Sequence, residues 1–263
     1  MPWERRRHDR HSLAAALQAA FLLRRENRRD PVSHWLLAAA AGLLVADLVD
    51  RSVRIRFVAV TDTYESLVFF SAVICLVLFS LRLARRTRGI SPFVMFGATM
   101  VCLVLLMVSS SPLAPKDIVP PVPALRSFWL VLHVTFAFIG EGFFVVSFVA
   151  AVGCLVARTV DRRADMDRLV VTAIGIGYPI FTAGALIFGA IWAETAWGAW
   201  WSWDPKETWA LVTWLIYTAY LHTRLVRRLR GTLSAVLAIV GFVATVFTFF
   251  GVNFLLSGLH SYG

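Results

Sequence analysis

Charged residues are scarce in this chain: Asp, Glu, Lys and Arg make up 16% of its 263 residues, whereas hydrophobic residues make up 59%. Water-soluble globular proteins carry about a quarter charged residues, so the composition excludes an ordinary soluble protein. Long polar stretches are missing as well, apart from residues 1–33. No soluble domain of useful size is therefore expected.

Cysteine is almost absent, and its placement excludes several kinds of site. Cys75, Cys102 and Cys154 all lie inside apolar stretches. Their spacing matches no zinc or redox motif, and the sequence contains no CxxCH. The chain is therefore not itself a c-type cytochrome, and we expect the three cysteines to be small core residues.

The net charge of +10 suggests a nucleic-acid partner, but the distribution of the charge argues against one. Of the 26 basic residues, 20 fall into four segments that separate apolar stretches. Basic residues between membrane spans mark cytoplasmic loops. The charge is thus a topology signal, carried by Arg5, Arg6, Arg7, Arg10, Arg24, Arg25, Arg28 and Arg29, then Arg82, Arg85, Arg86 and Arg88, then Arg158, Arg162, Arg163 and Arg168, and finally Arg224, Arg227, Arg228 and Arg230.

Apolar stretches of about 18 to 25 residues dominate the remaining sequence, and that is the length at which a helix crosses a bilayer. We predict an all-α, polytopic membrane helix bundle of about seven transmembrane helices, with the N-terminus inside and the C-terminus outside. The first span is the weakest, because it is short and contains Asp47. The predicted spans are roughly 34–49, 64–82, 92–110, 127–157, 169–193, 208–226 and 231–255.

Residues 1–33 are expected to be a basic cytoplasmic segment that includes an interfacial helix over Leu13–Leu23. Arg24 and Arg25 follow this helix in place of a cleavage site for a signal peptide. Residues 34–263 then form the transmembrane domain. Its external parts are predicted to be a Pro-rich stretch at 112–123, a Trp-rich loop at 192–207 and the tail 256–263.

Tryptophan is the most informative residue type, since seven of the ten lie between positions 192 and 214. A membrane-interface belt is one interpretation, but a belt spreads its aromatic residues over many helix ends. Concentration in one loop favours a rigid apolar platform with indole N–H donors at its edge. A large, flat, mostly apolar ligand such as heme suits that surface. The cluster comprises Trp192, Trp197, Trp200, Trp201, Trp203, Trp209 and Trp214.

Three histidines are candidate ligands. His133 and His260 lie on the same predicted side as the Trp-rich loop, where two imidazoles could hold heme iron from both faces. Interfacial or hydrogen-bonded histidines are the alternative. His222 lies near the cytoplasmic end of its span, where its position fits a functional group or a plain boundary residue equally well. His11, in the basic N-terminus, is expected to be solvated.

Several charged residues near the Trp-rich loop have predicted roles. Asp204 reads as a helix N-cap, followed by Pro205 at the first position and Glu207 at the capping-box position. Lys206 and Arg126 are predicted outer-side cations that could pair with heme propionates.

Glu141 needs a separate explanation, because it lies inside the fourth predicted span. It follows His133 by eight residues, or about two helical turns, and so shares roughly the same helix face. A carboxylate at this depth needs a partner, such as a bound ligand, a proton path or another helix. The sequence does not choose among these.

Four motifs carry a resemblance to a known family. The stretch WGAWWSWDPKETWALVTWLIYTAYLHTR at 197–224 closely resembles the tryptophan-rich WWD signature of the CcsA (ResC) family. The ending GVNFLLSGLHSYG at 251–263 resembles that family's C-terminal motif, and TYESL at 63–67 and LHV at 132–134 match two further landmarks. The resemblance covers about residues 60 to 263, and residues before it match nothing we can place.

The resemblance implies a role in cytochrome c maturation. With a separate CcsB-type membrane partner, such a chain would carry heme b across the bacterial cytoplasmic membrane and attach it to the CxxCH of apocytochromes c on the outer, periplasmic side. Synthase (heme lyase) activity would belong to the complex, served by a thiol-reducing system. His133 and His260 would be the outer axial ligands and His222 part of an inner heme site. The heme-binding residues would be Trp192, Trp197, Trp200, Trp201, Trp203, Asp204 and Trp209.

Three other interpretations remain. The heme-handling permease of the other cytochrome c maturation system shares the WWD loop and two outer histidines, but PKETW and YLHTR favour CcsA. A membrane assembly factor could use the Trp-rich loop to dock a protein, in which case it binds no heme. A small-solute transporter would need broken helices and paired intramembrane charges, which the sequence does not suggest.

Overall fold

The computed structural model describes residues 31–84 and 90–256, and within these ranges it contains helices and no strand. The predicted all-α class is therefore confirmed. The chain divides into two compact units, Met1–Arg126 and Ser127–Gly263, and each is described by itself. The interfacial helix predicted at Leu13–Leu23 lies outside the described residues.

The first unit contains three long helices followed by a short 3-10 turn at Pro123–Leu125. Local capping explains where two of the helices begin. Asp62 accepts a hydrogen bond from the backbone N–H of Glu65, and Ser91 caps a helix that has proline at its first position. The middle helix packs against both others. The helices are α1 (Pro31–Ile55), α2 (Thr63–Leu83) and α3 (Pro92–Ser110).

A buried arginine ties α1 to α2 and to the segment after α3. Arg51 is only 5% exposed. Its guanidinium donates to Glu65 Oε1 at 3.2 Å, to Asp62 Oδ2 at 3.0 Å, and to the backbone carbonyls of Lys116 and Asp117 at 3.1 and 3.2 Å. Burial and the nearby Glu65 carboxylate raise the pKa of Asp62, which lies in the turn before α2, to about 6. We call Arg51, Asp62 and Glu65 the Arg51 cluster.

The second unit carries the Trp-rich segment. Two of its long helices change from α- to π-helical winding near one end, and π turns of this kind are common at functional sites. The elements are α4 (Phe128–Val156), α5 (Val160–Phe181), π1 (Thr182–Phe188), α6 (Gly189–Trp197), α7 (Pro205–Leu225), a 3-10 turn (Arg227–Leu229), α8 (Thr232–Val246), π2 (Phe247–Gly251) and α9 (Val252–Leu255).

Glycines allow α4 to approach α5 and π1 closely. A Cβ on Gly140 would lie 2.7 Å from Phe181 Cβ, and a Cβ on Gly177 would lie 2.7 Å from Phe143 Cβ. A Cβ on Gly184 would overlap the backbone of α4 at Ala137. Any larger residue at these three positions would force the helices apart, so the glycines set the packing of α5 and π1 on α4.

Five helical stretches in the described residues are long and apolar enough to cross a membrane: Thr63–Leu83, Pro92–Ser110, Phe128–Val156, Val160–Trp197 and Thr232–Gly251. The chain is thus an integral membrane protein. The other two predicted spans also coincide with helices, α1 and α7, but both contain several charged residues. Their crossing of the membrane, and the orientation of the chain, stay predictions.

Candidate functional site

The Trp-rich loop is shorter than the predicted range 192–207. Helix α6 continues through Trp197 and ends at Gly198, whose φ of +75° is the left-handed conformation typical of a helix stop. Helix α7 then begins at Pro205. Only residues 198–204 are non-helical, and we call them the Trp loop.

Hydrogen bonds to one carboxylate organise the Trp loop. Glu207 Oε2 accepts from the backbone N–H of Ser202 at 2.8 Å and of Asp204 at 3.3 Å. Asp204 in turn accepts from the N–H of Lys206 at 2.9 Å. Its side chain also accepts from the N–H of Glu207, and together with the bond from Asp204 N–H to Glu207 this forms a capping box. The predicted N-cap role of Asp204 is confirmed. Trp203 has a φ of +59°, a costly conformation for a bulky residue.

The tryptophans divide into packed and displayed groups. Trp192 is 2% exposed and meets Trp197 edge-on at 4.8 Å between ring centroids. Trp200 and Trp203 are 60% and 69% exposed. The buried indole N–H of Trp201 has no hydrogen-bond partner within the described part of the chain. The displayed group therefore offers apolar faces, and Trp201 between them holds one unused donor.

His133 is held in a defined orientation beside this aromatic group. Its ring is parallel to that of Trp192, with centroids 5.9 Å apart and planes 8° apart. Its Nδ1 lies 2.9 Å from the backbone carbonyl oxygen of Gly184 in π1. Since a carbonyl can only accept, Nδ1 carries the proton, and in a neutral imidazole Nε2 then bears the lone pair. This is the tautomer of an Nε2 metal ligand.

Two glycines that sequence reasoning missed support this histidine. Gly184 supplies the carbonyl, and Gly189 leaves room for the ring, because a Cβ there would lie 3.0 Å from His133 Nδ1. The glycine spacing in TAGALIFGA is the only signal in the sequence, and by itself it indicates no more than close helix packing.

Two further tryptophans lie on α7 and pack against the π segments. Trp209 meets Phe247 of π2 with ring centroids 4.3 Å apart. Trp214 donates from Nε1 to Thr182 Oγ1 of π1 at 3.0 Å. Both π segments therefore contact α7, the helix that follows the Trp loop.

Of the three predicted histidine ligands, the structure describes His133 and His222, and these two do not lie together. His222 lies near the far end of α7, is exposed, and its Nδ1 is 2.9 Å from the carbonyl oxygen of Thr218 in its own helix. This end of α7 is joined to α5 by a bidentate pair between Arg224 and Asp167 at 2.8 and 2.7 Å. His260 lies outside the described residues.

The fold and site define a class: an integral membrane protein with an aromatic loop and an oriented imidazole at one end of a helical unit. A profile of the cytochrome C assembly protein family matches residues 60–260. CcsA cytochrome c biogenesis proteins from Prochlorococcus marinus and a Synechococcus strain are both 34% identical, covering 90% and 95% of this chain and 86% and 93% of their own lengths. The CcsA protein of Chlamydomonas reinhardtii is 37% identical over 84% of this chain, which spans 65% of that protein.

The chain belongs to the cytochrome c assembly protein family and, within it, to the CcsA proteins. Its role therefore lies in cytochrome c biogenesis. The resemblance noted from the Trp-rich and C-terminal motifs is confirmed at the level of the family.

Proposed function

We propose that this chain is the heme-handling subunit of a membrane cytochrome c synthase. It binds heme b at the Trp loop, on the outer side of the bacterial cytoplasmic membrane, and presents it to apocytochromes c. The observation that carries this proposal is the orientation of His133. Its Nδ1 is engaged by the Gly184 carbonyl and its ring is stacked on Trp192, beside a loop with displayed indoles.

Iron ligation follows from this orientation. A histidine that donates from Nδ1 to a carbonyl has its ring plane fixed and its Nε2 made more basic, as in many metal sites. His133 Nε2 would hold one face of the iron. His260, in the family's C-terminal motif, would hold the other and is the ligand that an incoming histidine displaces.

The porphyrin ring would rest on the indoles of the Trp loop. Trp200 and Trp203 offer flat, exposed apolar faces, and the buried N–H of Trp201 can donate to a polar edge such as a propionate. Lys206, in the first turn of α7, adds a positive charge near the same loop. Three further tryptophans would position His133 and the Trp loop: Trp192, Trp197 and Trp209.

Attachment joins each thiol of a CxxCH motif to a heme vinyl group. The sulfur forms a bond to one vinyl carbon and a proton adds to the other, so the step needs no net electron transfer. The chain's contribution is proximity and orientation of the vinyl groups, together with control of the iron through its ligands. The histidine of the CxxCH motif then replaces His260.

Complete synthase activity would require a CcsB-type partner and thiols kept reduced by a separate system. His222 would contribute to an earlier, inner heme site shared with that partner. Its exposure on the helix surface, close to the Arg-rich end of α7, suits a ligand that is completed by another protein. A purified chain without its partner that attached heme to apocytochrome would contradict this division of labour.

The test is an absorption spectrum of the chain purified from membranes with its partner, compared with His133→Ala and His260→Ala variants. We expect a Soret band and sharp reduced bands in the wild type, weakened or shifted in both variants. His11→Ala, in the basic N-terminus, is the matched control and should leave the spectrum unchanged. A heme-free wild type, or two unchanged variants, would instead favour an assembly factor that docks a protein on the Trp loop.

A further inference from the structure

Glu141 is a buried carboxylate that the proposed function does not use. It lies in α4 within the run 140–147, every residue of which is buried, and is itself 8% exposed. Its Oε2 has no hydrogen-bond partner in the described part of the chain. A carboxylate in such a place is costly when charged and unpaired, so the site is expected to exchange a proton or hold a polar guest.

The groups around Glu141 leave it without a direct ionic partner. Lys206 attracts it electrostatically from the first turn of α7, but no ion pair within 4.0 Å forms between them in the described residues. The Tyr217 hydroxyl is also close and fully buried. It has no hydrogen-bond partner in the described part of the chain, and the nearby hydroxyls of Ser147 and Thr245 donate to carbonyls of their own helices.

The other elements packed on α4 contribute few ionisable groups. Segments π1, α8 and π2 contain none. Near its contact with α4, α5 supplies Tyr178, whose hydroxyl is bonded to Thr218 at 2.7 Å. Helix α6 supplies Glu194, which also has an unpartnered carboxylate oxygen.

Helix α7 carries Glu207, whose Oε1 has no partner in the described residues although its Oε2 accepts from Ser202 and Asp204. The aspartates of α5 lie in its first turns, at the end that Arg224 joins to α7. Glu194 is therefore the strongest competing carboxylate among the described elements that pack on α4.

Glu141 lies on the same helix as His133, the proposed iron ligand. It follows His133 by eight residues on the same helix, which places it about 12 Å further along α4 and about 80° around the helix. Lys206 follows Asp204 by two residues, is only half-buried, and so lies at the Trp-loop end of α7. Charges at such a separation in a protein interior still interact appreciably.

We propose that Glu141 takes up a proton when iron held at His133 is reduced by a one-electron donor, and releases it when a one-electron acceptor reoxidises the iron. This rests on the proposed function. A one-electron donor converts Fe(III) to Fe(II), and the Glu141 carboxylate binds one proton that enters from water at the Trp-loop end, past Lys206. No bond to the iron changes, and the electron's negative charge is balanced by the proton. If the rise of about 12 Å along α4 is taken as the separation, with an effective dielectric constant of about 20, the coupling is about tenfold in the reduction equilibrium.

The experiment is a redox titration of the heme-loaded chain with its partner, from about pH 5 to about pH 9. The wild-type midpoint potential should fall as the pH rises. Glu141 should account for about 59 mV of this fall, which corresponds to a change of about tenfold in the reduction equilibrium. Glu141→Gln should lose that part and hold the higher, low-pH potential throughout. Glu194→Gln is the matched control and should keep the wild-type dependence.

Equal pH dependence in the wild type and Glu141→Gln would overturn the proposal while leaving heme binding intact. Loss of the pH dependence of the midpoint potential in Glu194→Gln, in place of Glu141→Gln, would overturn it as well. If Glu141→Gln does not fold, the infrared difference spectrum of the wild type decides: a protonated carboxyl C=O band must appear on reduction, and its absence contradicts the proposal. A wild type without heme would instead show that the proposed function is wrong.

Discussion

A single imidazole, that of His133, depends on two glycines more than fifty positions further along the chain. Gly184 provides the carbonyl that fixes the ring, and Gly189 provides the space that the ring occupies. Trp192 limits rotation by stacking on the same ring. The ligand orientation is thus a property of π1 and its flanks as much as of α4.

Gly189→Ala should therefore disturb heme binding more than stability. The added Cβ would lie 3.0 Å from His133 Nδ1 and 3.1 Å from Cε1, so the ring must move, whereas alanine itself favours the helix by up to ~1 kcal/mol. We expect roughly 5-fold lower heme occupancy for each kcal/mol of lost ligation, and a shifted Soret band, with the free energy of unfolding changed by less than about 1 kcal/mol. Absorption and denaturant titration measure the two effects.

Gly175→Ala is the matched control, because a Cβ there meets nothing within 4 Å. It should retain the wild-type spectrum. An unchanged spectrum in Gly189→Ala, with normal heme content, would show that the ring does not depend on this space.

Residues whose roles are local were predictable from the sequence, and those whose roles depend on distant contacts were not. Asp204, Pro205 and Glu207 lie within one turn, so the capping box was visible as a pattern. The contact between His133 and Gly184 spans 51 positions and depends on π winding. Such a contact arises only when α4 and π1 pack together.

Helix boundaries follow the same physical distinction. The predicted span 92–110 coincides with α3, because Ser91 and Pro92 mark its start. The predicted span 34–49 is shorter than α1, which continues to Ile55 through Asp50, Arg51 and Arg54. The hydropathy pattern predicts that the span ends before these charged residues. In the structure, the Arg51 cluster buries one of them, Arg51, inside the fold.

The Arg51 cluster joins α1 to α2 through a buried ion pair. Arg51→Met should lower the free energy of unfolding by about 3–5 kcal/mol, because Glu65, at 1% exposed, would be left buried without its cation. Denaturant titration of the chain in detergent measures this loss. The double variant Arg51→Met/Glu65→Met should recover much of it, since both charges are removed together.

Arg54→Met is the corresponding control on the same helix. Arg54 pairs with Asp50 at 2.9 Å, but both side chains are more than half exposed, so the change should stay within about 1 kcal/mol. Equal losses in Arg51→Met and Arg54→Met would show that burial of the Arg51 cluster contributes nothing.

Across the second unit as a whole, the Trp loop and the Arg-rich turns occupy opposite ends. Arg163 donates to Thr232 at 2.9 Å and Arg224 pairs with Asp167, so the turns before α5 and α8 lie at one end. The stacking of His133 on Trp192 joins the start of α4 to α6 at the other. The charge pattern predicts that the Arg-rich end faces the cytoplasm.

Labelling with a membrane-impermeant maleimide tests this orientation. In a chain without Cys75, Cys102 and Cys154, which are all buried, Ser202→Cys should react in intact cells. Arg228→Cys should react only after the membrane is opened. The opposite pattern would place the Trp loop in the cytoplasm and rule out heme presentation on the outer side.

The two π segments determine how far the residues that follow them are rotated about the helix axis. A π turn closes its hydrogen bonds over one more residue than an α turn, so everything after it is rotated by about 100° from a continuous α-helix. Segment π1 fixes the angle at which Trp192 meets His133, and π2 fixes the angle of Val252–Leu255, the last helical residues before the tail that carries His260. Along these stretches the number of residues matters more than their identity. Losing one residue would turn the site away from its ligand although every side chain in it was still present.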